Sequence, residues 1–371
     1  MARGRRDGVL IAGGGLAGCL AALALARFRP EIPFLIVEES ERFGGAGYRL
    51  FADDELDDDG RDLLSPVIAA RWPGYYAAFP GFSRKLRADQ SGFDGADLHA
   101  EMVAALEPRH YLLGTKVVAV REDALVLDGG ETIKAQGAID ARGAANLSTL
   151  ELLYETGLER DYRFKAPHRV DRPVLIDANG DQAGGLRFMR CIPLAEDRLL
   201  VADMALSERG QPDEQAPARL DAYVAARGWR PEAVLAERSA ARPLPTGGDF
   251  AAFWRQSGAR VAKLGVRGGF VHPVTGGTVG DAARAALLLA DQRDFSGAAL
   301  HDLFAAEARR LWSRREPLRQ ITAAFASAAP EDRRGLAEAI FRLDPGVVAR
   351  LRADRLGMME RMRVQRALKR G

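Results

Sequence analysis

The sequence predicts an α/β protein with a Rossmann-type dinucleotide-binding domain, a second antiparallel β-rich domain and a C-terminal helical region. Three observations support this fold class. A glycine-rich turn follows a short apolar run near the N-terminus, and a second glycine-rich stretch lies between residues 265 and 281. Between residues 150 and 243 the pattern changes to strands interrupted by polar loops. Such strands are typical of an antiparallel sheet.

The first glycine-rich turn follows the apolar run Val9–Ala12, which is short enough for a fully buried parallel strand. The turn fits the Gly-x-Gly-x-x-Gly pattern and is followed by an apolar stretch that predicts a helix. The three glycines allow a tight turn, a close approach of the backbone to a pyrophosphate, and packing of helix on strand. The helix N-terminus would favour the anion. The predicted contacts at this turn are Gly13, Gly15, Leu16, Ala17 and Gly18.

A second apolar run, Phe34–Val37, ends in Glu38, twenty residues beyond Gly18. This is where a carboxylate binds an adenosine ribose hydroxyl in dinucleotide-binding domains. The order of strand, turn, helix, strand and acid matches the full fingerprint rather than an isolated glycine motif. The chain is therefore predicted to bind a dinucleotide.

The segment between Gly265 and Asp281 is again rich in glycine and is followed by a helix rich in alanine and leucine. A second strand-to-helix turn would place helix N–H groups near the isoalloxazine carbonyl of a flavin. A domain that binds only NAD has no use for such a turn, so the predicted cofactor is FAD. The predicted contacts outside the first turn are Glu38, Gly45, Gly143, Thr275 and Gly276.

These patterns divide the chain into three regions. The predicted FAD-binding domain, of the glutathione-reductase type, is discontinuous, and the substrate domain is inserted into it. The boundaries are 1–75, 95–150 and 245–300 for the FAD-binding domain, 76–94 and 151–244 for the substrate domain, and 301–371 for a basic helical region.

Composition limits the function classes. The net charge is +2, from 53 basic and 51 acidic residues, which argues against a dedicated nucleic-acid-binding protein. The two cysteines, Cys19 and Cys191, are expected to be buried packing residues in a reducing cytoplasm. From Arg309 to Gly371 the chain carries 16 Lys and Arg against 7 Asp and Glu, with several apolar residues between them. This pattern fits either amphipathic helices on an anionic membrane surface or a helical cap on the main body.

The sequence contains no motif for metal binding or acyl transfer. The histidines are scattered, without Cys-x-x-Cys or His-Glu-x-x-His spacing, and no Gly-x-Ser-x-Gly motif is present. The acidic stretch from Asp53 to Gly60 lacks the spacing of a calcium loop and is predicted to be a solvated loop or helix start. Flavin chemistry is what remains.

The chain resembles the bacterial lycopene β-cyclases, flavoproteins of carotenoid biosynthesis, over nearly its whole length. Besides the first glycine turn, nine segments carry the resemblance. They are Trp72-Pro73-Gly74-Tyr75, Phe79-Pro80, Ile139-Asp140-Ala141-Arg142-Gly143, Arg187-Phe188, Ile192-Pro193-Leu194, Arg198-Leu199-Leu200-Val201, Phe253-Trp254, Gly269-Phe270-Val271-His272-Pro273-Val274-Thr275-Gly276 and Arg310-Leu311-Trp312.

The resemblance implies a peripheral protein on the cytoplasmic side of the inner membrane, docked through its basic C-terminal helices. It implies reduced FAD that is not consumed, with NADPH as the reductant. The implied substrate is lycopene or a similar long apolar isoprenoid, whose terminal double bond is protonated so that the carbocation closes into a β-ionone ring. Such a reaction needs a positioned acid, a dry pocket and negative charge beside the cation.

The catalytic motifs depart from the family pattern. The family strand reads Ile-Glu-Asp-Thr and its glutamate is the favoured proton donor, whereas this chain has Ala202 at that position. The family segment Asn-His-Thr-Trp-Ser-Phe-His after the Gly-Gly pair is also replaced, apart from its phenylalanine. The remaining candidates for catalysis are Asp203, which strand alternation sends to the face opposite Ala202, Glu155 in another altered motif, and His272.

Two other functions remain open at this point. The scaffold also suits a FAD-dependent oxidoreductase or hydroxylase acting on an apolar substrate, since redox chemistry at the flavin needs no glutamate at position 202. A non-catalytic paralogue that keeps the fold is the third alternative.

Overall fold

The computed structural model describes residues 7–369, apart from residues 183, 212 and 257. Within these residues, five strands form a parallel sheet, in the spatial order Ala262–Lys263, Gly137–Asp140, Val9–Ala12, Phe34–Val37 and Tyr111–Leu112. Val9–Ala12 is fully buried at its centre because all four side chains are apolar and both faces of the sheet are covered. The predicted order of strand, glycine turn, helix and strand is confirmed.

Two helices pack against each other beside this sheet. Leu16–Phe28 leaves the first glycine turn, and Val279–Ala290 leaves the second. Small side chains such as Ala21, Ala22, Ala282 and Ala286 let the two helices approach closely in one core. The two glycine-rich turns, far apart in the chain, therefore start neighbouring helices.

A large sheet forms the second part of the fold. In the described chain it has seven strands, in the order Pro231–Gly248, Leu150–Phe164, Arg198–Ser207, Arg187–Ala195, Val174–Asp177, Tyr75–Phe79 and Phe82–Leu86. Its pairing is antiparallel, as predicted, except that Val174–Asp177 runs parallel to Tyr75–Phe79. Within this sheet, Arg187–Ala195 and Arg198–Ser207 pair along almost their whole length.

Two smaller sheets complete the described β-structure. One comprises Val117–Arg121, Ala124–Leu127 and Thr132–Lys134, and the other Arg49–Ala52, Gln90–Phe93 and Ala70–Trp72. Short 3-10 helices lie at Asp53–Glu55, Pro108–His110, Gly265–Gly268 and Pro330–Asp332. The other described α-helices are Asp58–Leu64, Gly95–Ala105, Ala216–Ala226, Phe250–Arg255, Gly297–Arg314, Glu316–Ser327, Arg333–Phe341, Pro345–Arg352 and Met358–Leu368.

The C-terminal helices cover the large sheet. Ile321, Phe325, Ile340 and Leu351 share one apolar cluster with side chains of the large sheet such as Phe188. The basic C-terminal region is thus packed on the body of the protein through its apolar side chains. Within the described part of the chain, no helix is long and apolar enough to cross a membrane.

Candidate functional site

Two cavities meet inside the molecule. The first, here named the cofactor cleft, opens at the carboxyl ends of the parallel strands and has a volume of about 560 Å³. Its lining includes Gly13, Gly15, Leu16, Ala17, Glu38, Gly45, Arg49, Arg142, Gly143, Gly265, Arg267 and Thr278. Of the predicted cofactor contacts, Gly13, Gly15, Leu16, Ala17, Glu38, Gly45 and Gly143 therefore lie at this cleft.

The first glycine turn is shaped for close approach of a ligand. Gly13 has a φ of +102°, and a Cβ at this position would lie 2.7 Å from the carbonyl oxygen of Ala141. A Cβ at Gly15 would meet no atom within 4 Å, because this position faces the open cleft. Gly18 lies behind the lining, where a Cβ would lie 1.9 Å from the carbonyl oxygen of Gly13. Gly18 therefore serves the packing of helix on strand.

The polar groups of the cleft fit an anionic dinucleotide. Among the described residues, no side chain caps the N-terminus of helix Leu16–Phe28 at Gly15, so its first N–H groups remain available to an anion. Arg267 is buried, and its Nε has no hydrogen-bond partner among the described residues, with Asp140 Oδ1 at 3.5 Å. Glu38 Oε2 accepts a hydrogen bond of 2.5 Å from Gly14 N, and Oε1 accepts from Ser40 N at 2.9 Å. These contacts fix the Glu38 carboxylate at the cleft.

The second cavity, here named the apolar cavity, lies between the large sheet and the C-terminal helices and has a volume of about 230 Å³. Its apolar lining includes Leu153, Leu175, Ile176, Leu186, Phe188, Ile192, Leu206, Leu244, Phe325, Ile340, Phe341, Val348 and Leu351. Arg49 and Thr278 line both cavities, so the two adjoin there. The predicted cofactor contacts Thr275 and Gly276 line the apolar cavity, immediately before this junction.

A cluster of two carboxylates and two arginines borders the apolar cavity. Glu155 and Glu159 lie on one face of strand Leu150–Phe164, four residues apart. Glu155 Oε1 accepts from Arg190 Nη2 at 2.7 Å, and Oε2 accepts from Arg242 Nη1 at 2.7 Å. Burial alone would raise the pKa of Glu155, but the two guanidinium groups outweigh it and hold the pKa below its usual value. Glu155 is therefore an ionised carboxylate at neutral pH.

Ala202 lies at the centre of this arrangement. It is fully buried, and its cross-strand partners are Glu159 on one side and Arg190 on the other. Side chains of directly paired residues lie on the same face of an antiparallel sheet, so the Glu159 carboxylate lies beside position 202. We did not predict a role for Glu159 from the sequence. Its spacing of four residues from Glu155 in a strand is the pattern that would have placed both at one face.

Asp203 lies on the opposite face, as strand alternation predicts. It is buried and ion-paired with Arg187 Nη1 at 3.2 Å and with Arg219 Nη2 at 2.7 Å. Arg219 belongs to helix Ala216–Ala226, which packs on that face of the sheet. The structure therefore does not bring Asp203 together with Glu155 at the apolar cavity.

His272 is buried beneath the second glycine turn. Its Nδ1 accepts hydrogen bonds from the N–H groups of Val274 and Thr275, both at 3.2 Å, and its Nε2 donates to the carbonyl oxygen of Leu351 at 3.1 Å. Burial, together with the charge of Arg315, lowers the pKa of His272 to about 4. The neutral imidazole thus ties the turn to helix Pro345–Arg352.

Glu55 is the residue of the acidic stretch that behaves differently from its neighbours. Asp54 and Asp57 are exposed, as predicted for a solvated loop, but Glu55 lines the apolar cavity, so that prediction is wrong for Glu55. Its Oε1 accepts a hydrogen bond of 2.9 Å from Ala52 N. Burial raises the pKa of Glu55 to about 7, although this hydrogen bond and the charge of Arg352 lower it. Across the described residues, no group of His, Cys, Asp and Glu could hold a metal ion.

Known proteins resemble this chain over nearly its whole length. A family model described as "Lycopene cyclase protein" matches residues 8–368. A lycopene beta-cyclase from Pantoea ananas is 29% identical over 358 residues, which cover 96% of this chain and 93% of that protein. One from Paracoccus sp. is 29% identical over 362 residues, covering 96% of this chain and 92% of that protein.

Solved structures with the same fold are more distant in sequence. A geranylgeranyl bacteriochlorophyll reductase-like protein from Thermoplasma acidophilum superimposes with a TM-score of 0.67 at 12% identity, covering 99% of this chain and 98% of that chain. A probable FAD-dependent monooxygenase from Pseudomonas aeruginosa gives 0.60 at 19% identity, covering 89% and 98%. The fold is therefore that of FAD-dependent oxidoreductases and monooxygenases, with a Rossmann-type FAD-binding domain.

Proposed function

The chain belongs to the lycopene cyclase family, and from that premise we propose that it is a FAD-dependent cyclase of a long apolar isoprenoid. The proposed reaction forms β-ionone rings from lycopene by protonation and ring closure, without net redox change, as an intramolecular lyase or isomerase. One observation carries the proposal. An apolar cavity that holds buried carboxyl groups adjoins the cofactor cleft at Arg49 and Thr278.

The cofactor cleft is proposed to hold FAD, with NADPH as the reductant. The first glycine turn and the uncapped helix N-terminus would bind the pyrophosphate, Glu38 the ribose, and Arg267 a further polar group of the cofactor. Thr275 and Gly276 would contact it from the second turn. When bound in its reduced form, FAD supplies negative charge beside a cationic reaction centre.

Charge at the apolar cavity is proposed to stabilise the carbocation. Glu155 is held ionised by Arg190 and Arg242, whereas Glu159 has an ion pair with Arg242 alone among the described residues, at 3.4 Å. Carboxylates fixed before the reaction stabilise a developing cation without having to reorganise. Among the residues predicted as catalytic, Glu155 is proposed to act here. Asp203 is proposed to have a structural role on the opposite face of the sheet, where it pairs with Arg187 and Arg219, and His272 is proposed to hold the second turn.

A FAD-dependent oxidoreductase or hydroxylase for an apolar substrate is the second candidate. Ala202 favours it, because a proton-initiated reaction needs an acid and this position carries none. A non-catalytic paralogue that only binds FAD or a carotenoid is a third candidate, which the same substitution would allow.

The C-terminal region is proposed to dock on the cytoplasmic face of the inner membrane. Met358 and Met359 are 78% and 64% exposed, and they begin the helix Met358–Leu368, which also carries Arg361, Arg363 and Arg366. Exposed apolar side chains beside arginines suit an anionic lipid surface. A substrate dissolved in the membrane would then reach a cavity that the preceding C-terminal helices cover.

Pigment analysis tests the proposal directly. Bacterial cells that accumulate lycopene are expected to form β-carotene when they express this chain with bound FAD. An Ala202→Glu variant serves as the comparison, because it restores the family acid beside Glu159. Unchanged lycopene from both proteins, each purified with FAD, would contradict the cyclase. Consumption of NADPH in proportion to a converted apolar substrate would instead identify the oxidoreductase.

A further inference from the structure

The Glu55 carboxyl group lines the apolar cavity beside the glycine turn that leads to the cofactor cleft. It lines the apolar cavity together with Gly277 and Thr278, and Thr278 also lines the cofactor cleft. A Cβ built on Gly277 would lie 3.6 Å from Glu55 Oε2, which places this oxygen against the second glycine turn. Gly280 also lies close to Glu55, because a Cβ at Gly280 would lie 2.7 Å from the Glu55 backbone carbonyl oxygen. The carboxyl is thus held between the 3-10 helix Asp53–Glu55 and the turn.

Among the described residues, only one oxygen of this carboxyl group accepts a hydrogen bond. Oε1 accepts from Ala52 N at 2.9 Å, which closes a local hydrogen bond at the start of the 3-10 helix. The structure gives Oε2 no hydrogen bond from the described part of the chain. An oxygen that carries a proton and has no protein acceptor is free to donate it to a ligand in the cavity.

The charged groups around Glu55 form their contacts with other residues. Arg315 donates to Asp281 and to Asp354 at 2.6 to 2.8 Å, so these three groups compensate one another. Arg352 lies over the ring of Tyr75, 5.0 Å from its centroid, and its Nη2 lies 3.3 Å from Gln90 Oε1. Among the described residues, Glu55 therefore has no ion-pair partner within 4 Å, and burial decides its protonation.

We propose that Glu55 is the proton donor of this enzyme, the group that protonates the terminal double bond of the isoprenoid in the apolar cavity. The inference rests on the proposed cyclase function. The O–H bond of Glu55 breaks, and its proton forms a C–H bond at the CH carbon of the terminal double bond, leaving a tertiary carbocation at the dimethyl-substituted carbon. The electrons of an internal double bond close the ring, and the ring cation then returns one proton to the Glu55 carboxylate. Atoms and charge balance without an oxidant or a reductant.

The other carboxyl groups of the cavity are less suited to this step. Glu155 accepts from two arginines, which favour its ionised form. Glu159 is contacted by Arg242 at 3.4 Å and lies beside Ala202 in the sheet. Glu55 combines a cavity position with the absence of a cationic partner, and its pKa of about 7 leaves a substantial fraction protonated at neutral pH. The acid that position 202 lacks is thus supplied from a different element.

The test compares Glu55→Gln with Asp54→Asn in the FAD-bound protein. Gln keeps an oxygen that can accept a hydrogen bond from Ala52 N, so the 3-10 helix should be retained. Asp54 is the neighbouring exposed residue, and Asp54→Asn removes one carboxylate charge in the same way without changing the cavity. We expect Glu55→Gln to lower ring formation from lycopene by about 10²–10⁴-fold, the usual contribution of a positioned acid. Asp54→Asn should match the unmodified protein. FAD content and melting temperature, measured for each variant, report folding separately from catalysis.

Two further readouts separate the outcomes. The infrared carbonyl band of a protonated carboxylic acid should be present near pH 6 and absent from Glu55→Gln. The ring-forming rate should fall as pH rises through about 7, because Glu55 ionises there. The charged groups that face Glu55 and shift its pKa are Arg352, Asp281 and Arg315.

The assignment would be overturned if the unmodified protein forms rings, Glu55→Gln forms them equally well and Glu159→Gln does not. This outcome would leave the cyclase function intact. A lack of ring formation by the unmodified, FAD-loaded protein would overturn the cyclase function itself, and the role of Glu55 with it.

Discussion

The cofactor cleft and the apolar cavity adjoin, yet they are built in different ways. The cleft is lined largely by backbone and short loops at the ends of the parallel strands, such as the turns at Gly13–Ala17 and Ala141–Gly143. The apolar cavity is lined by side chains from the large sheet and from helices near the C-terminal end of the chain. A bound anion is met by N–H groups that any sequence with the right turn presents, whereas an apolar pocket needs particular side chains.

The carboxyl groups of the two cavities extend this contrast. In the cleft, Glu38 accepts two backbone hydrogen bonds from Gly14 and Ser40. In the apolar cavity, Glu155 is compensated by arginines, and Glu55 has one backbone donor and no arginine partner. The pKa of Glu155 is thus lowered and that of Glu55 raised, because the partners of these two side chains differ while their chemistry does not.

The largest expected effect is a loss of cofactor binding in the cleft with little change in the stability of the fold. Gly15→Val should abolish FAD retention, because the new side chain would enter the open cleft at the helix N-terminus. The loss of unfolding free energy should be about 1 kcal/mol, the usual cost of a poor N-cap residue. Flavin absorbance per purified protein and thermal unfolding of the FAD-free form measure the two quantities.

Gly129→Val is the matched control for this substitution. Its Cβ would also meet no atom within 4 Å, but Gly129 lies in the turn between two strands of a small sheet, away from the cleft. It should keep its flavin. Retention of FAD by Gly15→Val would mean that the turn does not bind the cofactor.

A smaller effect is expected at the arginine-paired carboxylate. Glu155→Gln should lower the free energy of unfolding at pH 7 by about 1–3 kcal/mol, because Arg190 and Arg242 lose their compensating charge. The pKa of Glu155 is lowered in the folded protein, so its stabilising contribution is present above the unfolded value of 4.5. That contribution is lost as pH falls through the folded pKa.

Urea unfolding at pH 7 and at pH 3 measures this difference. Glu151→Gln is the control, since Glu151 is an exposed residue of the same strand. Equal unfolding free energies for Glu155→Gln and Glu151→Gln at pH 7 would show that the arginine cluster does not depend on Glu155.

The smallest expected effect concerns the surface of the C-terminal region. The double variant Met358→Ser and Met359→Ser should bind vesicles containing anionic phospholipid a few-fold more weakly, because less apolar area is buried in the lipid. Co-sedimentation with vesicles measures it. Val103→Ser removes another exposed apolar side chain, 46% exposed, from a distant helix and should bind like the unmodified protein. Equal binding by all three proteins would exclude docking through these methionines.

Much of the cleft could be predicted from the sequence. The strand Val9–Ala12, the glycine turn, the helix and the strand before Glu38 appear in the chain in the order in which they meet in space. Each depends on neighbours within about thirty residues, and the conformations that glycine permits leave a local signature. The opposite faces of Ala202 and Asp203 could also be predicted, because alternation along a strand is a local property.

The role of Glu55 could not be predicted in this way. Its neighbours Asp53, Asp54 and Asp57 suggest a solvated acidic loop, whereas the packing of helix Pro345–Arg352 and of the second glycine turn places this one carboxyl at the apolar cavity. The position of Glu159 beside Ala202 likewise depends on the register between two strands more than thirty residues apart. Register is set by the whole sheet.

The sequence by itself determined the dinucleotide fold, the two glycine-rich turns that are each followed by a helix, the family and the absence of a glutamate at position 202. The tertiary structure alone decided which carboxyl groups face the apolar cavity and which of them are ionised. Backbone turns and strand alternation follow from steric rules that act over a few residues. Burial and charge compensation follow from groups brought together from distant parts of the chain, and these set the pKa of Glu55 and Glu155.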